Sequence, residues 1–383
     1  MSDDLIYLDS NSYCPILPEV YNFAINNLNT PLNPSSLHSL GQVANSLVEE
    51  TRDSILNYIN SSNHKVLFTS CGSEANNLAI LGLKKNFDLY ICTAAEHKSI
   101  IQPIKQTRNF LILDVDQDGC PNLDTLEAVL KQNLDKKIFL STIYVNNETG
   151  VINNLETIIP KLRLIHNNLT IHSDMGQAFG KLEDLSNLDF KKLDLDLATL
   201  IGYKFGSMPG ASALIYRSDI EIKPMIFGGS QEYNLRAGTE NTVAIHSIKI
   251  ALDTIYQKTK NSDKTTLRNY LEKNIKKICN LYEKDLIIFS ENTQRIWNTS
   301  YFAVKDLESK IQLMFFNSHK IYIGTGSACS AGLDEDSHVL ESMGFKKNIR
   351  KCAVRISINT QSNLREIEIF LEKFEKLIKK FSR

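Results

Sequence analysis

Lys65-Val66-Leu67-Phe68-Thr69-Ser70-Cys71-Gly72-Ser73-Glu74 passes from an apolar run, through small polar residues, into a helical pattern. Lys65 to Thr69 reads as a strand, and residues 74–85 read as a helix with apolar positions at Leu78, Ala79, Leu81 and Gly82. The same alternation recurs outward from this stretch. Further strands are expected at 88–93, 110–115, 137–145, 169–173 and 197–202, with helical patterns between them, including 155–166. Strand–helix alternation predicts an α/β fold with a mainly parallel sheet covered by helices. In such sheets ligands sit beyond the carboxyl ends of strands. Ser70 to Ser73, Asn146-Asn147-Glu148, Asp174 and Lys204 all fall at or just after an expected strand. One shared site at that edge is therefore expected.

After about residue 255 the texture changes. Long charged helices are expected at 264–283 and 362–381, beside short strands at 286–289 and 352–356. This predicts a smaller α+β domain, with the boundary inside the helical pattern of residues 242–258. The expected division is 15–255 for the large domain and 1–14 with 256–383 for the small one. No internal repeat interrupts it, and the lysine-rich residues 373–383 read as the solvated face of an amphipathic helix.

Composition narrows the class. With 383 residues, 42% of them hydrophobic, the chain can bury one large core or two modest ones. A net charge of −1 gives no electrostatic case for a nucleic-acid or membrane partner. No apolar run approaches the roughly 20 residues of a membrane span. The opening Met1-Ser2-Asp3-Asp4 lacks the basic-then-apolar form of a secretion signal. Seven cysteines are scattered without a Cys-x-x-Cys pair, which fits a reducing cytosol better than a disulfide framework or a zinc site. A soluble cytoplasmic protein with no resident metal is expected.

The chemistry gathers at a few points. Gly72-Ser73 ahead of a helix offers N–H groups, a hydroxyl and the positive helix end to an anion, although an ordinary capped helix would look the same. Gly228-Gly229-Ser230-Gln231-Glu232, running on to Arg236-Ala237-Gly238-Thr239-Glu240-Asn241, carries more polar punctuation than a connecting loop requires. Lys204 stands at the exit of an apolar strand. To react with an aldehyde it must be unprotonated, so burial or a nearby cation has to lower a pKa that is ordinarily about 10.4. His172 and Asp174 lie two apart on a strand and share a face, and Asp174 can keep a pyridine nitrogen protonated. Gln177 is within reach of the same ring's oxygen, and His97 can stack and shuttle protons. Cys329 sits in the small-residue run Gly326-Ser327-Ala328-Cys329-Ser330-Ala331. A lysine for an aldehyde, an aspartate for a ring nitrogen and a thiol together point to pyridoxal 5'-phosphate and sulfur chemistry.

These residues resemble the cysteine desulfurases of the class V aminotransferase family, fold type I pyridoxal-phosphate enzymes of the iron–sulfur-assembly type. The likeness runs from Tyr7-Leu8-Asp9 to about Ile369. It is carried by Asn33 to His38, Phe68 to Asn77, Glu96-His97-Lys98, Val145 to Gly150, His172 to Gln177, Gly228 to Asn241, Gly326 to Ser330 and Val354-Arg355-Ile356-Ser357. The resemblance implies that Lys204 forms the Schiff base, Asp174 pairs with the ring nitrogen, Gln177 and Asn147 bond the ring-oxygen side, and His97 stacks on the ring. It also implies that Gly72 and Ser73 hold the phosphate, joined by Thr239 from a second subunit of a homodimer. Arg355, with Asn147 beside it, would bind the carboxylate of L-cysteine. Cys329 would take the sulfur as a persulfide, release alanine, and pass the sulfur to an acceptor or iron–sulfur scaffold protein, serving at most as a transient iron–sulfur ligand.

The chain departs from the family pattern at Ile201-Gly202-Tyr203-Lys204, where Ser-Gly-His-Lys is usual. Ile201 cannot bond a phosphate, while Tyr203 can through its hydroxyl. Tyr7-Leu8-Asp9-Ser10-Asn11-Ser12-Tyr13 replaces a segment usually rich in Ala and Thr, one that the resemblance implies lines the substrate region. Two other readings remain open on sequence: a relative acting on selenocysteine or another amino acid, and a degenerate paralogue that binds without turnover.

Overall fold

The computed structural model describes residues 5–84, 86–182, 184–258, 265–326 and 336–382. Twelve strands are described: β1 (Ile6–Leu8), β2 (His64–Thr69), β3 (Leu89–Thr93), β4 (Phe110–Leu113), β5 (Ile138–Ser141), β6 (Leu169–Asp174), β7 (Leu197–Ile201), β8 (Ser212–Arg217), β9 (Leu286–Ile288), β10 (Thr299–Val304), β11 (Ile321–Ile323) and β12 (Ala353–Ser357). Seven of them form one sheet in the order β2-β8-β7-β6-β5-β3-β4. Only β8 runs against its neighbours β2 and β7; the other pairings are parallel. The strands read as unbroken apolar runs because helices cover both faces. One face packs on Val66, Ile91, Leu140, Ile171 and Ala198, the other on Leu67, Tyr90, Phe139, Leu197 and Leu214.

The later part of the chain builds its own layers. β9, β10 and β12 form an antiparallel sheet against the helix Leu364–Phe381, whose Phe370 and Phe374 are fully buried. That helix opens with a reciprocal cap between Asn363 and Glu366. β1 pairs in parallel with β11, which places the start of the chain among these later elements. Residues 9–17 then cross to the large sheet, where Cys14 N–H donates to the Tyr203 carbonyl (3.2 Å) and Leu17 N–H to that of Gly206 (3.0 Å). Among the described residues no helix is long and apolar enough to cross a membrane.

Element ends differ from the sequence expectation for identifiable reasons. The expected strand 137–145 stops at Ser141, because Ile143 N–H turns to the buried carboxyl of Glu96. The expected helix 74–85 is Gly72–Leu81, since Cys71 already has the extended conformation of an N-cap.

The segment 228–241 is held under strain. Glu232, Tyr233 and Asn234 all have positive φ (45°, 59° and 62°), a conformation that costs non-glycine residues on the order of 1 kcal/mol or more each. Glu232 offsets it: its buried carboxylate accepts from both Nη atoms of Arg52 (3.1 and 3.2 Å) and from Phe68 N–H (2.8 Å). Arg236 adds a second tie to Glu74 (2.8 Å) in the first turn of Gly72–Leu81. Glu232→Ala leaves Arg52 with the partly exposed Glu49 and the Val66 carbonyl, strips Phe68 N–H of its acceptor, and is predicted to cost about 1–3 kcal/mol. Urea unfolding followed by circular dichroism checks this; a loss below about 1 kcal/mol would mean that other contacts hold the segment.

Candidate active site

Six of the seven strands point their carboxyl ends the same way, and a cavity of about 330 Å³ opens along that edge. β6 delivers Asp174, β7 delivers Lys204 through the single turn Gly202–Phe205, and the loop after β5 delivers Asn147. Gly72 and Ser73 line the cavity as the first turn of Gly72–Leu81, and His97 as the N-cap of Lys98–Ile104. Gln177, Tyr203 and Arg355, also expected from sequence, line it as well. Asn11, Ser12, Glu148 and Ile201, which the sequence had placed near the site without a role of their own, also line it, as does His338, which the sequence had not singled out. Thr239 is exposed and does not line this cavity. Cys329 lies outside the described residues, so its placement is not part of this geometry.

Asp174 is nearly buried and accepts from Asn76 Nδ2 (2.9 Å) and Gly176 N–H (2.9 Å). His172, two residues earlier, sits deeper. Its ring is bracketed by the Ser141 and Thr199 hydroxyls (3.0 and 3.1 Å), and burial pushes its pKa down to about 4. It is a neutral structural support rather than a group of the cavity. Beside Asp174, burial first and then the Asp174 charge push the Glu96 carboxyl well above the ordinary range, so Glu96 keeps its proton. His97 is likewise held neutral: burial lowers its pKa against the opposing pull of Asp174, helped by Lys204, His338 and Lys98. Its Nδ1 accepts from Ser99 N–H (3.1 Å), which places the ring proton on Nε2. His338 Nε2 donates to the Glu96 carbonyl (2.8 Å).

Lys204 Nζ donates to the carbonyls of Asn11 (2.7 Å) and Ser12 (2.8 Å) and lies 5.0 Å from the Tyr203 ring centroid. Tyr203 in turn stacks on Tyr13, with centroids 5.6 Å apart. Arg355 is 1% exposed; its Nη1 donates to the Asn147 carbonyl (2.8 Å), and its Nη2 to Asp9 Oδ1 (2.7 Å) and Ser12 Oγ (2.8 Å). Gln177 has a dictated orientation: Oε1 accepts from Lys181 Nζ and Nε2 donates to the Asn11 carbonyl (3.0 Å). Ile201 wedges between two glycines. A Cβ on Gly72 or Gly176 would stand 2.3 or 2.7 Å from its Cδ1, so both backbones approach the strand exit as closely as only glycine allows.

The donor set suits a phosphorylated pyridine aldehyde. An amine, a carboxylate, a neutral imidazole, a helix N-terminus and a guanidinium surround one cavity within the size range of small-ligand sites. No group of three or more His, Cys, Asp or Glu arranged for a metal ion occurs among the described residues.

Comparison with known proteins agrees with this layout. Residues 6–370 match the family described as Aminotransferase class-V. A cysteine desulfurase of Trichormus azollae is 32% identical over 97% of this chain and 94% of its own length. The cysteine desulfurase IscS of Dictyoglomus turgidum is 28% identical over 98% and 95%. Among solved structures, a NifS-like protein from Rickettsia africae superposes with a TM-score of 0.89 at 34% identity, covering 98% of this chain and 99% of that one. A lysine at a strand exit, an aspartate one strand away and near-complete coverage by these relatives lead to one conclusion: the chain belongs to the class V aminotransferase family of pyridoxal-phosphate-dependent enzymes.

Proposed function

We propose that this protein is a cysteine desulfurase, converting L-cysteine to L-alanine and carrying the sulfur as a persulfide on Cys329. The observation that carries the reading is the convergence of Lys204, Asp174 and Arg355 on one cavity at the strand ends. When bound there, pyridoxal phosphate supplies an electron sink for charge released at the substrate α-carbon, which weakens the bond to the neighbouring sulfur.

The residues divide the remaining work. Lys204 holds the aldehyde carbon and exchanges the α-proton, and Asp174 keeps the ring nitrogen protonated. Gly72 and Ser73 hold the phosphate at the helix N-terminus, with the Tyr203 hydroxyl beside them. Gln177 donates from Nε2 toward the ring oxygen, with Asn147 on the same side. His97 stacks as a neutral ring and handles protons at Nε2. Arg355, pre-set by Asp9 and Ser12, takes the substrate carboxylate. The Cys329 thiolate donates an electron pair to the substrate sulfur while the carbon–sulfur bond breaks. That bonding pair stays on carbon and is protonated to the methyl group of alanine, so no oxidant or reductant is required. The persulfide sulfur is then passed to an acceptor such as an iron–sulfur scaffold protein.

We also infer a homodimer in the cytosol, with a large domain of residues 15–255 and a small one of 1–14 and 256–383. Thr239 lies outside its own cavity and is exposed on a braced segment, which supports its serving a second copy. Exposed Tyr21, Ile25, Leu28, Leu37 and Phe227 supply apolar surface for that copy. The six described cysteines are free thiols, as a reducing compartment favours.

Three outcomes test the reading. Lys204→Ala is expected to abolish the borohydride-trappable link to pyridoxal phosphate; trapping at an unchanged level contradicts the assignment. Cys329→Ser is expected to keep the cofactor's colour and lose sulfide release, and unchanged release rules out the persulfide route. Mixed dimers of Thr239→Val and Lys204→Ala chains are expected to regain, at one site in the pair, the cofactor affinity that Thr239→Val alone lacks. No recovery contradicts the contribution of Thr239 across the dimer.

A further inference from the structure

Glu148 lines the cavity and has no part in the roles above. Two stems of the chain, at Gly326 and Ser337, meet on its carboxyl group. Ser337 Oγ donates to Glu148 Oε2, and the Tyr301 hydroxyl bonds both side chains. Gly326 packs so closely on the same group that a Cβ there would overlap Glu148 Oε2 and the Tyr301 hydroxyl. Glu148 and Tyr301 are each 1% exposed. Burial first, and then the Glu148 charge, push the Tyr301 hydroxyl far above its ordinary range, so it remains a donor.

The base of this tie is rigid and is keyed to Arg355. Glu148 N–H and Thr149 N–H donate to Asn146 Oδ1 (2.9 and 3.0 Å), and Asn146 Nδ2 donates to the Ala95 carbonyl (3.0 Å). The Asn147 carbonyl, one residue before Glu148, receives Arg355 Nη1 (2.8 Å). Tyr301 stands directly opposite Arg355 where β10 pairs with β12, so the two side chains share a face. Gly324, at the first stem, exchanges both backbone bonds with Arg355 (3.0 and 2.7 Å). At the second stem Leu340 N–H donates to Ser337 Oγ (3.0 Å), and His338 bonds the Glu96 carbonyl. One turn therefore touches the arginine through Asn147 and both stems through Glu148.

We propose that Glu148 is a positioning residue for sulfur transfer: by bonding Ser337 and seating Gly326 it fixes, relative to Arg355, where the stretch that carries Cys329 leaves and rejoins the cavity wall. The inference rests on Cys329 being the thiol that takes the sulfur, and Cys329 lies in sequence between these two stems. Displacement at sulfur requires the reacting atoms within about 3–3.5 Å, and a misplacement of about 1 Å can cost about a hundredfold. Untying a stem spreads the thiol over more positions. Binding of the substrate carboxylate and loss of the α-proton fall to Arg355 and Lys204 and ask nothing of Glu148. In this role Glu148 exchanges no proton with the substrate, and the electron pairs move as given above for the Cys329 thiolate.

The test compares two substrates on the full chain loaded with pyridoxal phosphate. L-cysteine needs a thiol to take its sulfur. L-cysteine sulfinate does not: its sulfur leaves as sulfur dioxide, and the bonding pair again stays on carbon, where a proton completes alanine. Glu148→Ala is expected to lower the ratio of alanine formed from cysteine to alanine formed from the sulfinate by about tenfold or more. Glu148→Gln, whose amide oxygen still accepts a hydroxyl, is expected to keep that ratio within about threefold. A general loss of stability or of cofactor lowers both rates together, so an unchanged ratio in Glu148→Ala overturns the proposal. If Glu148→Ala does not fold, Ser337→Ala unties one stem alone and is expected to lower the ratio by about threefold; no change there has the same force. Amide hydrogen exchange of the full chain without substrate reads the tie by itself. Glu148→Ala is expected to speed exchange at residues 324–326 and 337–343 and not in β5 or β6, and unaltered exchange at both stems also sinks the proposal. If the unaltered protein forms no alanine from cysteine, the desulfurase reading fails, while the exchange result still decides whether Glu148 ties the stems.

Discussion

One buried amide holds the site together. Asn11 uses every hydrogen-bonding group it has: its N–H goes to Ser357 Oγ, its Nδ2 to the Asn147 carbonyl and Thr299 Oγ1, its Oδ1 receives Lys181 and Asn298, and its carbonyl receives Lys204 and Gln177. These partners come from the large sheet's edge, from β10 and β12, and from the loop after β5. A fully satisfied buried network fixes one arrangement, whereas a partly satisfied one carries a penalty for each orphaned group. The position of Lys204 relative to Arg355 depends on residues 9–12, which bond both side chains.

Around that hub the electrostatics are sparse in anions. Glu96, His97 and His172 are each held neutral, mainly by burial. Asp174 and Glu148 are the carboxyl groups that line the cavity, while Arg355 and the helix N-terminus at Gly72 supply positive potential on other sides. This distribution matches a ligand with a basic ring nitrogen at one end and anionic phosphate and carboxylate groups elsewhere. Cys71, the N-cap residue of Gly72–Leu81, also lines the cavity.

The fold and most of the residues that line the cavity were legible because they depend on local pattern. Apolar strand runs followed by glycine turns place Gly72, Asp174 and Lys204 at strand ends whatever the distant contacts are. What stayed hidden depends on contacts across the chain. Lys181 meets Asn11 across 170 residues and Lys204 meets it across 193, so neither contact leaves a local sign in the sequence. The unusual residues at 10–13 read in sequence as a departure from the family pattern. In the fold Asn11 is the most connected of them, and Tyr13 stacks on the equally unusual Tyr203. His338, the first residue of the short helix His338–Ser342, belongs to no motif, and its bond to the Glu96 carbonyl beside His97 spans 242 residues.

The most direct measurement is peptide mass mapping of the purified protein after incubation with pyridoxal phosphate and L-cysteine, with alanine quantified in the same sample. The account predicts one added sulfur atom on the peptide that contains Cys329 and an equal amount of alanine in the first turnover. Alanine formed with the sulfur on Cys71, or with no cysteine modified, would contradict it.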